Sequence, residues 1–187
     1  MRGPNIRRLV PADATLYRAL MLEAYAQAPD AFTSSVAERA ALPLAWWETR
    51  VADTPDAKER VWGAFDGTVL VGVAGLALEQ RERTAHKASL FGMYVRPAAR
   101  GQGLAQQLIA EVLAHAAQSP GIEVVQLTVT ASNTAAVQLY TRCGFMPFGA
   151  EPYAVRLGGQ FLTKLHLWRR AEPAPSDRLP RDVRNWR

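Results

Sequence analysis

The sequence predicts an α/β (α+β) fold, a single domain in which antiparallel hairpins flank a strand, helix, strand, helix unit. Three observations predict it. Two β-rich runs, residues 60–65 and 68–78, are joined by Asp66-Gly67, a dipeptide that readily forms a tight hairpin turn. A run at residues 88–95, a glycine-rich loop, an amphipathic stretch from Leu104 and a β-rich run at residues 124–130 alternate strand with helix. Residues 153–157 and 161–168 meet through Gly158-Gly159 and read as a last hairpin.

The remaining elements follow in order. Residues 6–10 are a short strand, and Pro11-Ala12-Asp13 begins a helix because proline fits the first helical turn. That helix runs to about Gln27 and breaks at Ala28-Pro29-Asp30. Ser34 and Ser35 offer N-caps for a second helical region reaching about Val51, with Pro43 as the point of interruption. In the helix from Leu104, the side chains of Leu104, Leu108, Ile109, Val112, Leu113 and Ala116 share one face, while Gln107, Glu111, His115 and Gln118 share the other. Ser119-Pro120-Gly121 ends it. After Ala131-Ser132-Asn133 a short helix reaches Cys143, and Gly144 closes it.

With 187 residues, 49% of them hydrophobic, the chain can bury one core of its own. No stretch approaches the ~20 apolar residues of a membrane-spanning helix, and Met1-Arg2-Gly3-Pro4-Asn5 leads into no secretory segment. A cytoplasmic protein without a membrane partner is expected. Cys143 is the only cysteine and His86, His115 and His166 are scattered, so neither a disulfide nor a metal site is expected. The net charge is +5, and residues 169–187 supply three of those charges through six arginines against Glu172, Asp177 and Asp182. The rest of the chain is mildly basic without a lysine or arginine run, which argues against a nucleic-acid partner. Residues 1–168 are expected to form the domain and residues 169–187 a basic, Pro/Arg-rich tail.

The loop Arg100-Gly101-Gln102-Gly103-Leu104-Ala105 carries the chemistry. A diphosphate at a helix start needs several exposed backbone N–H groups and no side chains in the way, and Gly101 and Gly103 meet that need. A dinucleotide loop would have glycine where Gln106 stands, and a nucleoside-triphosphate loop would lead with Gly-Lys-Ser/Thr into the helix. A plain structural turn stays open on the loop alone. Two motifs then coincide. Arg100, Gly103 and Ala105 fill the pattern Gln/Arg-x-x-Gly-x-Gly/Ala, and residues 133–145 fit Asn-x-x-Ala-x-x-Leu-Tyr-x-x-x-Gly-Phe through Asn133, Ala136, Leu139, Tyr140, Gly144 and Phe145. In this order they resemble the GNAT (Gcn5-related N-acetyltransferase) superfamily, strongly over residues 90–145 and in element order over residues 6–168. The segments around Phe32 and Trp46-Trp47 are also similar to members of that superfamily.

The resemblance implies a mixed, mostly antiparallel central sheet of about six or seven strands flanked by helices, with central strands splayed. The strands at residues 90–95 and 127–130 part, and the pantetheine arm of acetyl-CoA lies between them. Backbone groups of Met93, Tyr94 and Val95 would pair with that arm, and a backbone N–H near Val95 would polarise the thioester carbonyl. Gly101, Gln102, Gly103, Leu104, Ala105 and Gln106 would hold the diphosphate, Arg100 would shape the loop, and Asn133 would contact the arm. The activity implied is direct acetyl transfer from acetyl-CoA to a primary amine. The acceptor is a small-molecule amine or a peptide or protein amine, and a homodimer is a common assembly among relatives.

Tyr140 matches the family's proton donor to the departing thiolate, and a phenol of pKa ~10 keeps its proton at neutral pH. The base has no matching carboxylate. Thr128 stands at one position where relatives carry glutamate, His86-Lys87-Ala88-Ser89 covers the other, and Thr163-Lys164 replaces a frequent Asp-Glu. Glu79, Glu82, His86 and an ordered water are the remaining candidates. That gap motivates one rival reading, a non-catalytic acyl-CoA-binding or sensing module. Of Trp46 and Trp47, one is expected in the core and the other half exposed or lining the acceptor cleft. Cys143 is expected to be a small buried side chain.

Overall fold

The structure, a computed structural model, describes residues 5–172. A short strand β1 (Asn5–Arg8) leads through a 3₁₀ turn, Pro11–Asp13, into helix α1 (Ala14–Gln27). Asp13 fastens this corner: it accepts two hydrogen bonds from the Arg7 guanidinium at 2.7 and 2.8 Å and one from Val10 N–H at 2.9 Å. The Arg7 hydrogen bonds hold the Asp13 carboxyl below the usual carboxylate range. The expected second helical region is two helices, α2 (Val36–Ala40) and α3 (Leu44–Arg50). Ser35 caps α2 in a capping box with Glu38, and Pro43, held in an extended conformation, starts α3.

The hairpin of β2 (Glu59–Asp66) and β3 (Val69–Leu78) leads to β4 (Lys87–Val95), α4 (Leu104–Gln118), β5 (Val124–Thr130), α5 (Thr134–Arg142), β6 (Met146–Leu157) and β7 (Gln160–Arg170). Together they make an open seven-stranded sheet in the order β1-β2-β3-β4-β5-β7-β6. Every neighbouring pair is antiparallel except β4 with β5. That parallel pair is short: Lys87 faces Val124, Ala88 faces Val125 and Ser89 faces Gln126. Beyond it β4 keeps only β3 and β5 keeps only β7, so the two strands part along residues 90–95 and 127–130 as expected.

A bulge accompanies the parting. Between the Val73–Tyr94 and Gly75–Phe91 pairs β3 supplies one residue and β4 two, Gly92 and Met93. Gly92 has φ of 62°, the left-handed region that glycine adopts without the clash a Cβ brings. The bulge bends β4 where it leaves β5.

The sheet separates two cores. On one face Leu104, Leu108, Ile109, Val112 and Ala116 of α4 are buried against β3, β4 and β5, and Tyr140 and Phe145 join them. Each buried leucine, isoleucine or valine contributes ~1.5–3 kcal/mol of transfer free energy. On the other face Tyr17, Leu20 and Met21 of α1 and Trp47 of α3 pack on β2 and β3. Of the adjacent pair, Trp47 is the one in the core, and half-buried Trp46 meets it edge to face at 4.9 Å.

Three details differ from the sequence expectation. β6 begins at Met146, seven residues before Tyr153, although Pro147, Gly149 and Pro152 lie in the added segment. An edge strand with bulges tolerates them, because the missing N–H groups need no second partner, and register shifts flank this stretch. β7 continues past Trp168 to Arg170, and Ala171 is buried, so ordered structure passes the expected boundary. Residues 173–187 of the expected tail lie outside the described residues. His115, assigned to the solvent face of α4, instead packs on Trp62 at 5.1 Å, and burial lowers its pKa.

Candidate active site

The parting of β4 and β5 opens a cleft of about 400 Å³ that is lined from both faces of the sheet. Asn133 and Tyr140 reach it from the α5 face, and Tyr17, Arg39, Arg50 and Glu59 from the α1 face. Phe91, Gly92 and Met93 of β4 form one wall and Thr128, Val129 and Thr130 of β5 the other. Met93 is thus brought to the gap, while Tyr94 and Val95 are buried, facing Val73 and Gly72 of β3.

Beyond β4 lies the glycine loop. Gly101 and Gly103 both sit at left-handed φ, 78° and 76°, and Gly103 is the N-cap of α4. No side chain caps this helix, and its first bond runs from Gln107 N–H to Gly103 O at 3.1 Å. The N–H groups of Gly103, Leu104, Ala105 and Gln106 are therefore open at the positive end of the helix. Arg100 turns away from them: its Nε donates to Val95 O at 2.9 Å and its guanidinium lies 5.9 Å from the Tyr94 ring centroid. It shapes the loop from behind. A Cβ on Gly101 would meet nothing within 4 Å, so the space in front of the loop is clear.

Asn133 caps α5, its Oδ1 accepting from Ala136 N–H at 3.1 Å, which leaves the amide nitrogen for the cleft. Tyr140 is 6% exposed, with its ring edge to face on Phe145 at 6.0 Å. Burial, with a smaller contribution from Cys143, pushes its pKa above the ordinary phenol value, so the hydroxyl keeps its proton. Cys143 is half-buried, and burial raises its pKa too. It is not a thiolate.

On the α1 face the cleft holds side chains that no motif announced. Glu59, the first residue of β2, pairs with Arg50 at 3.1 Å, and burial raises its pKa against the opposing effect of Arg50 and Arg39. Arg39 and Arg50 both lie over the Trp46 ring, each 4.7 Å from its centroid. Tyr17 is fully enclosed, and burial pushes its pKa up to about 12. Lys164 is buried as well, its Nζ donating to Ala31 O at 3.1 Å. Thr130 Oγ1 donates to Asp30 O at 2.6 Å, so two strands hold the α1–α2 connection over the gap.

None of Glu79, Glu82 and His86 lines the cleft. They belong to the β3–β4 connection, at the end where β4 and β5 are still paired. The signal that finds Glu59 is tertiary: strand β2 is two places from the gap, and only the packing of α3 on β2 turns its first side chain towards it. Among the described residues no group of three or more His, Cys, Asp or Glu side chains is gathered as for a metal ion, and no helix is long and apolar enough to cross a membrane.

Open N–H groups at a glycine-set helix start, an unpaired strand edge and a protonated phenol in one gap are what an acyl-coenzyme A-dependent transferase requires. The residues fit such a donor. The profile of the acetyltransferase (GNAT) family matches residues 18–145. The chain is similar to the L-amino acid N-acetyltransferase AaaT of Escherichia coli (strain K12), 33% identical over 113 residues, which are 60% of this chain and 68% of that protein. In structure it is similar to the acetyltransferase of GNAT family from Streptococcus pneumoniae, with a TM-score of 0.80 and 23% identity over 89% of this chain and 98% of that one. It also resembles yncA from Salmonella typhimurium, solved with its cofactor acetyl-CoA, with a TM-score of 0.72 and 21% identity over 94% and 98% of the two chains. The chain belongs to the acetyltransferase (GNAT) family. It is an acetyl-CoA-dependent N-acetyltransferase, and its acceptor is an amine.

Proposed function

We propose that the protein acetylates a primary amine of a small molecule by direct attack, with Tyr140 as the proton donor and Glu59 as the proton acceptor. The observation that carries this reading is the cleft itself, which brings a protonated phenol from one face of the sheet and a carboxylate of raised pKa from the other to a single gap. Bound acetyl-CoA supplies an acyl group activated as a thioester. Gly101, Gln102, Gly103, Leu104, Ala105 and Gln106 offer their N–H groups to its diphosphate, and Met93, Tyr94 and Val95 border the path of its arm. Asn133 orients the arm through its free amide nitrogen.

An acceptor amine of pKa ~10 arrives as an ammonium and must lose protons to attack and to leave a neutral amide. Glu59, directly or through one water, takes the proton that frees the nitrogen lone pair. Tyr140 gives its proton to sulfur as the carbon–sulfur bond breaks, and recovers it from the solvent side of the cleft. Carbon–nitrogen bond formation, carbon–sulfur cleavage and release of one net proton complete the balance. A relative named for acetylating L-amino acids supports a small acceptor.

Purified protein with acetyl-CoA and a panel of small amines tests the reading, with free thiol and product mass followed together. Equal yields of thiol and N-acetylated product are expected. Binding of acetyl-CoA without thiol release from any amine would instead support a binding or sensing module.

A further inference from the structure

Two features of its surroundings work against Glu59 as a base. Burial favours its protonated form, and its side chain lines two hollows, the cleft and a second one of about 460 Å³ between α3 and the α3–β2 connection. Arg50 lines both hollows too and meets the carboxylate, Nη1 to Oε2, at 3.1 Å. The two side chains are 19% and 27% exposed, so water screens the contact only in part. The guanidinium is itself fixed. It lies over two rings at once, Trp46 one turn earlier on α3 and Phe91 of β4, 4.7 Å from each centroid. Phe91 in turn has a prepared seat, because it faces Gly75 of β3, where a Cβ would overlap its ring. A line of contacts thus runs from the β4 wall of the cleft through Arg50 to the carboxylate on β2.

We propose that Arg50 is a positioning residue of the acetyl transfer: seated on the Trp46 and Phe91 rings, it holds Glu59 Oε2, points the carboxylate at the cleft rather than at the second hollow, and keeps it ionised. Oε1 is then the oxygen that takes the acceptor's proton. An arginine suits this place, because a planar guanidinium stacks on aromatic faces while its N–H groups stay in plane for the carboxylate. A lysine would keep the charge and lose the plane. Other groups reach Glu59 as well. Arg39 of α2 also favours its ionised form, Tyr17 and Tyr25 of α1 face it as phenols whose pKa burial raises, and Asp56 and Lys58 border the second hollow. Among the described residues only Arg50 stands within ion-pair distance of it. The inference rests on the reading of Glu59 as the proton acceptor and adds what orients it.

The test is a double-variant comparison on the full chain, with saturating acetyl-CoA and the amine of the panel that turns over fastest. Arg50→Met is expected to lower kcat/KM for the amine at neutral pH about 10- to 100-fold. Its acid limb should move to higher pH, because burial is then opposed by Arg39 alone and the base form is lost sooner as pH drops. Arg50→Lys, which keeps the charge, is expected to hold the limb near its wild-type position and to recover part of the rate. In a Glu59→Gln background Arg50→Met should change kcat/KM by less than about threefold, since no carboxylate is left to place. An unmoved limb in Arg50→Met, or the same loss with and without Glu59, would overturn the inference and make Arg50 a structural or acceptor-binding residue, with Glu59 still the base. If Glu59→Gln keeps the limb, or no amine releases thiol, the reading of Glu59 falls and this inference with it. Should Arg50→Met not fold, Phe91→Leu takes one ring from the guanidinium and decides the question in its place: the limb should shift in the same direction, and the effect should vanish in the Glu59→Gln background.

Discussion

Burial supports the role proposed for Tyr140. A phenol already reluctant to ionise becomes more so when its ring is packed against Phe145, and the proton stays available for a departing thiolate. Tyr140→Phe keeps the packing and removes only the proton, so kcat should fall about 10²- to 10³-fold while coenzyme A affinity by calorimetry hardly changes. Equal losses in both would make Tyr140 a binding residue. Glu59 carries a pH prediction. Burial raises its carboxyl pKa, so its basic form is lost at a higher pH than the ordinary ~4.3, and kcat/KM should decline on that acid limb as pH drops. Glu59→Gln should lower the neutral-pH rate by about 100-fold and erase the limb in a pH profile. A surviving limb would assign the proton transfer elsewhere. These two residues show what a chain discloses alone. Tyr140 stands in a run of motif positions on one short helix, so spacing reveals it. Glu59, Arg39 and Arg50 lie on three separate elements, β2, α2 and α3, that only the tertiary fold brings together, and in sequence each is an ordinary surface charge.

At the scale of elements, the start of α4 was the most legible feature and β6 the least. Both outcomes have a backbone cause. Glycines at positions 101 and 103 are visible in sequence, and their left-handed φ values leave a helix start that no side chain caps. Pro147 and Pro152 are equally visible but misleading, because the prolines of an edge strand interrupt no second ladder. Gly103→Ala tests the loop. The added Cβ finds ordinary contact distance to Gln107, 3.7 Å, so the cost comes from φ and is about 1–2 kcal/mol. Thermal unfolding should shift down by roughly 2–8 °C. The KM for acetyl-CoA should rise about tenfold or more as the N–H groups lose their alignment. The KM for an acetylated pantetheine thioester, which lacks the diphosphate, should not follow it. A parallel rise for both donors would show that the loop shapes the whole groove rather than holding the diphosphate.

Across the whole molecule, the cleft depends on a point where β4 and β5 are still joined, and residues 169–171 secure that point. Val124 and Val125 pair with Lys87 and Ala88 on one side and with Arg170 and Arg169 on the other. Ala171 N–H donates to Glu123 O at 2.8 Å, its side chain is buried, and Arg169 Nη1 donates to Cys143 O at 2.6 Å, tying the end of α5 to β7. Composition alone assigns these arginines to a basic tail, since their charge is visible and their strand partners are not. Truncation after Trp168 removes the contacts that Arg169, Arg170 and Ala171 make, whereas truncation after Glu172 removes none of them. Several hydrogen bonds at ~1 kcal/mol each, with the burial of Ala171, amount to about 2–4 kcal/mol. The shorter protein should therefore melt roughly 5–15 °C below the longer one in calorimetry. Because β5 at Val124 and Val125 also anchors β4, its acetyl-CoA KM should rise at temperatures where both proteins are folded. Coincident melting curves and equal KM values would place the boundary at Trp168 and leave the parting of the strands held by β3 and β4 alone.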